Sequence, residues 1–117
     1  MSDKKSFAIL VYGLGAGVAG LPEAEQQAHL KKWDDWVDQL NADGTFAGGN
    51  PLQPVAKTIS GKAAKVSDGF FVPNDEYVVG GYILVEAGSL DEAVEIAKGC
   101  PTFELDGNVE VREVMPM

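Results

Sequence analysis

The chain holds few side chains that could do acid–base chemistry near neutral pH. Its 117 residues include one histidine, His29, and one cysteine, Cys100. Histidine is the side chain that ordinarily changes charge between pH 5 and 8, so His29 is the natural candidate for a general acid or base. It lies four positions before Trp33 and seven before Trp36. This spacing puts it at the edge of an apolar helical face, where a structural, hydrogen-bonded histidine and a proton-transfer residue are both open interpretations.

Asp68 is the second candidate. The pair Asp68-Gly69 is typical of a tight turn, because aspartate bonds its own backbone and glycine supplies the positive φ. An acid at this turn could also point into a cleft. Two further glycines, Gly80 and Gly81, interrupt an apolar strand, which indicates a bulge or the close approach of another backbone or a ligand.

Neither a metal nor a nucleotide cofactor is expected. A single cysteine excludes a cysteine-built zinc site within one chain, and the sequence gathers no set of three or four ligands around His29. The segment Gly15–Gly20 fits the GxGxxG pattern between a strand and a helix. However, Pro22 starts the helix after the last glycine, and residues 45–49 offer no acidic partner for a ribose. We interpret the glycine segment as a mobile loop at the mouth of a cleft.

Composition and charge limit the partners. The chain carries 18 acidic and nine basic residues, a net charge of −9, with no basic stripe, which argues against direct nucleic acid binding. No apolar run reaches the roughly 20 residues of a membrane span, and the apolar stretch after the N-terminal lysines is too short for a signal peptide. We expect a soluble, cytoplasmic protein of one domain, residues 1–117, with Cys100 reduced and buried.

Hydrophobic patterning predicts the elements that must position these residues. Helical spacing predicts a helix that begins at Pro22 and ends near Asn41, with a buried stripe of Leu30, Trp33, Val37 and Leu40. A capping box at Ser89 predicts a second helix, which ends at Gly99. Strands are predicted at residues 6–12, 78–86 and 108–114, with a peripheral hairpin at 55–59 and 63–67 and at most a short strand within 45–54.

This order predicts an α+β ferredoxin-like sandwich with an added hairpin. Two helices cover only one face of the resulting antiparallel sheet. The strands at 6–12 and 78–86 carry apolar residues on both faces, so the uncovered face needs a partner. A second copy of the chain is the simplest partner, and we therefore predict a homodimer.

Across nearly its whole length the chain resembles the YCII-related family, in particular its DGPF-type branch. The resemblance depends on an ordered set of short matches: His29-Leu30; Gly48-Gly49 with Leu52 and Pro54; Asp68-Gly69 with Phe71; Glu76; Gly80-Gly81-Tyr82; Leu90-Asp91-Glu92-Ala93; Cys100-Pro101; and Glu110-Val111-Arg112. There are departures: Phe70 replaces the signature proline, Pro73 and Asp75 replace the charged positions after it, and Glu113 replaces a proline.

The resemblance implies a dimeric α+β barrel. It also implies a cleft with a paired histidine and aspartate, as in relatives that look like enzymes, which makes His29 and Asp68 the candidate catalytic residues. If the two meet, the carboxylate would stabilise the imidazolium and make His29 a proton donor. The leading hypothesis is thus a small-molecule enzyme; the alternative is a ligand-binding or protein-interaction module linked to transcription regulation, as some DGPF-type members are.

Overall fold

Strands and helices follow one another in the predicted order. The computed structural model describes residues 4–13, 21–53, 55–71 and 77–116. Within these ranges the elements are β1 (Lys5–Gly13), α1 (Glu23–Ala42), β2 (Phe46–Pro51), β3 (Lys57–Ser60), β4 (Lys65–Asp68), β5 (Val78–Ala87), α2 (Leu90–Ala97), a 3-10 helix (Pro101–Leu105) and β6 (Asn108–Glu113).

The main sheet has four strands in the order β2-β5-β1-β6, and every neighbouring pair is antiparallel. Strands β3 and β4 form a separate two-stranded hairpin. The ferredoxin-like α+β prediction, with its added hairpin, is therefore confirmed. A dinucleotide-binding βαβ unit needs a parallel strand pair, which this sheet lacks among the described residues. The segment Gly15–Gly20 itself lies outside the described residues.

The sheet has one covered face and one open face. Successive side chains along β1 point to opposite faces of the sheet. Phe7 and Ile9 lie on one face and are fully buried, whereas Leu10 lies on the other face and is only half-buried. The same alternation along β5 buries Val85 and leaves Leu84 half-buried. The helices pack on the buried side, so the two central strands are not equally covered on both faces.

The ends of α1 follow from local chemistry. Pro22 precedes the helix, and Glu23 and Glu25 lie in its first turn, where carboxylates favour the positive end of the helix dipole. The helix ends at Ala42 with Asp43 as its C-cap, and Gly44 after it has a positive φ of +72°, which glycine adopts at low cost at the end of a helix. The predicted stripe was wrong at one position: Leu40 is buried, but Leu30 is half exposed because it faces an open cleft.

The glycine pair in β5 has both of the expected structural causes. Pairing of β1 with β5 shifts by one residue so that Val11 faces Gly81 and Tyr12 faces Val79, which leaves Gly80 as a bulge. A Cβ on Gly81 would lie 3.2 Å from the carbonyl oxygen of Asn50, so the backbone of β2 approaches closely there. The edge strand β2 is longer than the short strand predicted within 45–54.

No helix in the described ranges is both long and apolar enough to cross a membrane.

Candidate functional site

A cleft of about 950 Å³ lies between α1, the ends of β2 and β5, and the 3-10 helix. Its walls are mainly apolar. The apolar lining residues include, in chain order, Val11 from β1; Leu30, Trp33 and Val37 from α1; Phe46 from β2 and Leu52 just after it; Phe70, two residues after β4; Val78, Val79 and Ile83 from β5; and Leu105 from the 3-10 helix. His29 also lines this cleft. The bulged end of β5 forms part of the wall, so the glycines at 80 and 81 shape the cleft.

His29 lies on α1 with only 5% of its surface exposed. Its Nε2 accepts a hydrogen bond of 3.0 Å from the indole Nε1–H of Trp33, one helical turn further on. The two rings meet edge to face, 6.4 Å apart. An indole nitrogen can only donate, so Nε2 carries no proton and the neutral ring is protonated at Nδ1.

Glu104 faces the other ring nitrogen. Its Oε2 lies 3.6 Å from Nδ1 of His29, which is longer than a hydrogen bond and leaves the buried Nδ1 without a hydrogen-bond partner among the described residues. The ammonium of Lys32 donates to Oε1 of the same carboxylate. This hydrogen bond is the main reason that the pKa of Glu104 lies below its ordinary value. The carboxylate is thus ionised at neutral pH and can orient the imidazole or stabilise its protonated form.

The sequence did not indicate the roles of Glu104 and Lys32. Lys32 is three positions after His29 on the same helix, but charged residues at that spacing are common on solvated helical faces. Glu104 comes from a 3-10 helix far along the chain, and no spacing relates it to α1. Helical spacing predicts that Trp33 is a packing residue; the structure shows that it packs against the core and also donates to the imidazole.

Asp68 lies elsewhere. It is the last residue of β4, its side chain is 88% exposed, and its carboxylate pairs with Lys57 across the hairpin. It does not line the cleft, and the carboxylate within 4 Å of His29 among the described residues is that of Glu104. The structure therefore does not form the predicted His29–Asp68 pair. The physical reason is that Asp68 belongs to a hairpin separate from the main sheet, whereas the prediction placed its turn beside α1.

The remaining reactive side chain, Cys100, is buried, as expected from the sequence. Burial raises the pKa of its thiol to about 11. It is therefore protonated at neutral pH and unsuited to act as a nucleophile. Among the described residues, no group of three or more histidine, cysteine, aspartate or glutamate side chains could hold a metal ion.

The fold and the cleft define a ferredoxin-like α+β protein with a mainly apolar cleft between its long helix and its sheet. A model of the YCII-related domain family matches residues 6–117, and the chain belongs to this family. No curated protein matches the chain.

Proposed function

We propose that this YCII-related protein binds a small molecule with an apolar body in the cleft beside α1. The observation that supports the proposal is the cleft itself. Its volume of about 950 Å³ falls in the range of small-molecule sites, roughly 300 to 1,000 Å³, and its walls are mainly apolar with a few polar groups. Nε2 of His29 is occupied by Trp33, so the geometry favours binding over proton transfer in the conformation described.

The charges around the cleft indicate what the ligand is not. Among the residues that the structure describes, no lysine or arginine lines it, while three carboxylates do: Asp34, Asp38 and Asp106. Recognition of a phosphate or carboxylate depends on basic side chains or on helix N-termini. We therefore expect a neutral or cationic ligand rather than an anion.

A matched set of aromatic probes tests this proposal: 2-naphthalenemethanol, 2-naphthylmethylamine and 2-naphthoate, titrated by calorimetry. We expect the alcohol and the amine to bind and the carboxylate to bind at least tenfold more weakly. Leu30→Trp should fill the cleft and abolish binding. Leu90→Trp is the control, because Leu90 is exposed to a similar extent on α2 but does not line the cleft. Binding that survives Leu30→Trp, or no binding of any probe, would contradict the proposal.

Acid–base catalysis by His29 is the second candidate function. It is favoured by the position of His29 in the cleft wall, with the carboxylate of Glu104 on its Nδ1 side. A carboxylate in that place can hold the ring and stabilise the imidazolium, which is how general-base histidines are supported in many enzymes. A substrate would have to displace the indole N–H of Trp33 from Nε2. The test is an NMR titration with the naphthyl probes: a catalytic site requires the Nε2 signal to change when a probe binds.

A catalytic role for Asp68 stays a prediction from the family resemblance. It would need the hairpin to move toward α1, or a second copy of the chain to bring its own Asp68 to the cleft. Asp68→Asn, measured alongside His29→Asn for any turnover that is found, decides whether the two residues act together.

A homodimer closed through the open face of the sheet is part of the proposal. Leu10, Tyr82 and Leu84 lie half-buried on the face that no described helix covers. Packing a second copy there would make the dimeric barrel that the resemblance implies. Sedimentation at micromolar concentration should give twice the chain mass, and Leu10→Glu with Leu84→Glu should give a folded monomer. The single reduced cysteine favours a cytoplasmic location.

A further inference from the structure

The hairpin formed by β3 and β4 is structurally separate from the rest of the molecule. Among the described strands, β3 and β4 pair only with each other. The two ends of the hairpin join the chain near Leu52, Gln53 and Phe70, which line the cleft. A two-stranded hairpin is marginally stable at best in water unless its apolar face packs against something. The arrangement of side chains on this hairpin shows which face that would be.

The two faces of the hairpin differ. Ile59 and Val66 are directly opposite each other and share one face with the Lys57–Asp68 ion pair. They are 68% and 57% exposed, so the described part of the chain leaves this apolar pair largely uncovered. The other face carries the polar side chains Thr58, Ser60, Lys65 and Ser67. The hairpin is therefore amphipathic, and Phe71 just after it is 82% exposed as well.

Its charge is opposite to that of the rest of the protein. Residues 57–68 hold three of the nine basic residues and one of the 18 acidic ones, a local charge of +2, which leaves −11 on the remainder of the chain. Asp68 neutralises Lys57, whereas Lys62 and Lys65 have no described carboxylate within 4 Å. Lys62 lies in the turn between the strands and Lys65 on the polar face, so the hairpin has an exposed apolar face with free ammonium groups at its tip and on its back.

We propose that the hairpin docks by its apolar face on the acidic body of a second copy of this chain, burying Ile59 and Val66, while Lys62 at the tip and Lys65 on the back supply attraction to the net negative charge of that copy. Charge complementarity supports a second copy as the partner, because the body of every copy is acidic and attracts a hairpin with a local charge of +2. A polyanion such as nucleic acid fits worse: the hairpin has only two free lysines, and a body of charge −11 repels phosphates. This contact is distinct from the open sheet face and does not depend on ligand binding in the cleft.

Sedimentation equilibrium over about 0.1 to 200 μM tests the proposal with two hairpin variants. Ile59→Thr with Val66→Thr removes the apolar pair but keeps residues that favour strands. Its control is Ser60→Thr with Ser67→Thr on the opposite face. Lys62→Gln with Lys65→Gln removes the free charges, and its control is Lys4→Gln with Lys31→Gln, which changes the net charge of the chain equally.

We expect each hairpin variant to raise the dissociation constant at least tenfold and each control to change it less than twofold. Amides of β3 and β4 should also gain protection from hydrogen exchange as the concentration of the wild-type protein rises. The proposal is overturned if the hairpin variants associate like the wild type, if their controls weaken association equally, or if hairpin protection is independent of concentration. A wild-type monomer at 200 μM would overturn both this contact and the sheet-face dimer. Hairpin variants that associate like the wild type would overturn only the hairpin contact and would leave the sheet-face dimer standing.

Discussion

The body around α1 and the hairpin that carries Asp68 are held together in different ways. In the body, β1 pairs with two strands, its apolar side chains are buried, and His29 is enclosed by Trp33 and Glu104 from two elements. The hairpin has one strand pair, exposed apolar side chains and a surface ion pair. A side chain in the body has its environment set by its own chain. On the hairpin, Ile59 and Val66 are exposed to solvent within one chain.

The same substitution in the two regions should therefore have very different effects. Ile9→Ala removes a fully buried side chain and should lower the free energy of unfolding by roughly 2 to 5 kcal/mol, because it leaves a cavity in the core. Ile59→Ala should change it by less than about 0.5 kcal/mol in the monomer, because that side chain is already in water. Urea unfolding at a concentration too low for association measures both. Equal effects would show that the hairpin packs on its own chain.

The next largest decrease in the free energy of unfolding should come from Trp33→Phe. The substitution removes the N–H that donates to Nε2 of His29 and leaves a buried acceptor unpaired, so it should lower the free energy of unfolding by about 1 to 3 kcal/mol. It should also release the ring from the tautomer protonated at Nδ1, which ¹⁵N NMR of the imidazole detects. Trp36→Phe is the control, because no described hydrogen bond joins Trp36 to His29. An imidazole spectrum that is unchanged in Trp33→Phe would contradict the assigned hydrogen bond.

The two regions also differ in how well the sequence predicted them. Local signals predicted the elements of the body: the strand at residues 6–12 and the capping box at Ser89 are both local, and the structure confirms each. The strand order then follows from the few ways to connect such elements. His29 was found because it is the one histidine. Its contact with Glu104 joins elements far apart in the chain, and no local pattern encodes that contact.

The sequence did not indicate the position of Asp68 relative to His29 for a related reason. Local residues predicted a positive φ at Gly69 and a hairpin just before it, and both exist. Whether the hairpin lies over the cleft or away from it depends on tertiary contacts, and the apolar pair that would make them is exposed within a single chain. The resemblance supplied a position for Asp68, but this chain departs from the signature right after it, with Phe70 in place of proline.

A smaller loss of stability, which depends on pH, is expected from Glu104→Gln. Because the folded-state pKa of Glu104 is lowered, chiefly by the hydrogen bond from Lys32, its carboxylate stabilises the fold above the ordinary pKa of 4.5. That contribution is lost as the pH falls through the folded value. The wild type should therefore unfold at a higher temperature than the variant at pH 7, and the difference should vanish in acid. The variant should also shift the NMR signals of the His29 ring at pH 7. Glu95→Gln breaks another lysine pair and should leave those signals unchanged.

The smallest effect should come from Asp68→Asn. The Lys57–Asp68 pair is exposed, and pairs of this kind contribute about 0.2 to 1 kcal/mol because water screens the charges and both side chains lose freedom when they pair. Raising the salt concentration should reduce even this contribution. The imidazole signals of His29 should not move, since the carboxylate beside that ring belongs to Glu104.

The NMR signals of the His29 ring in Asp68→Asn should be measured below and above the dissociation constant of the dimer, which separates contacts within one chain from contacts between two copies. A change that appears only in the dimer would mean that a second copy brings its Asp68 to the cleft, and a change in the monomer would mean that the hairpin reaches α1 within one chain. No change at either concentration would leave Asp68 as a turn residue with a surface ion pair, and would leave Glu104 as the carboxylate that acts on His29.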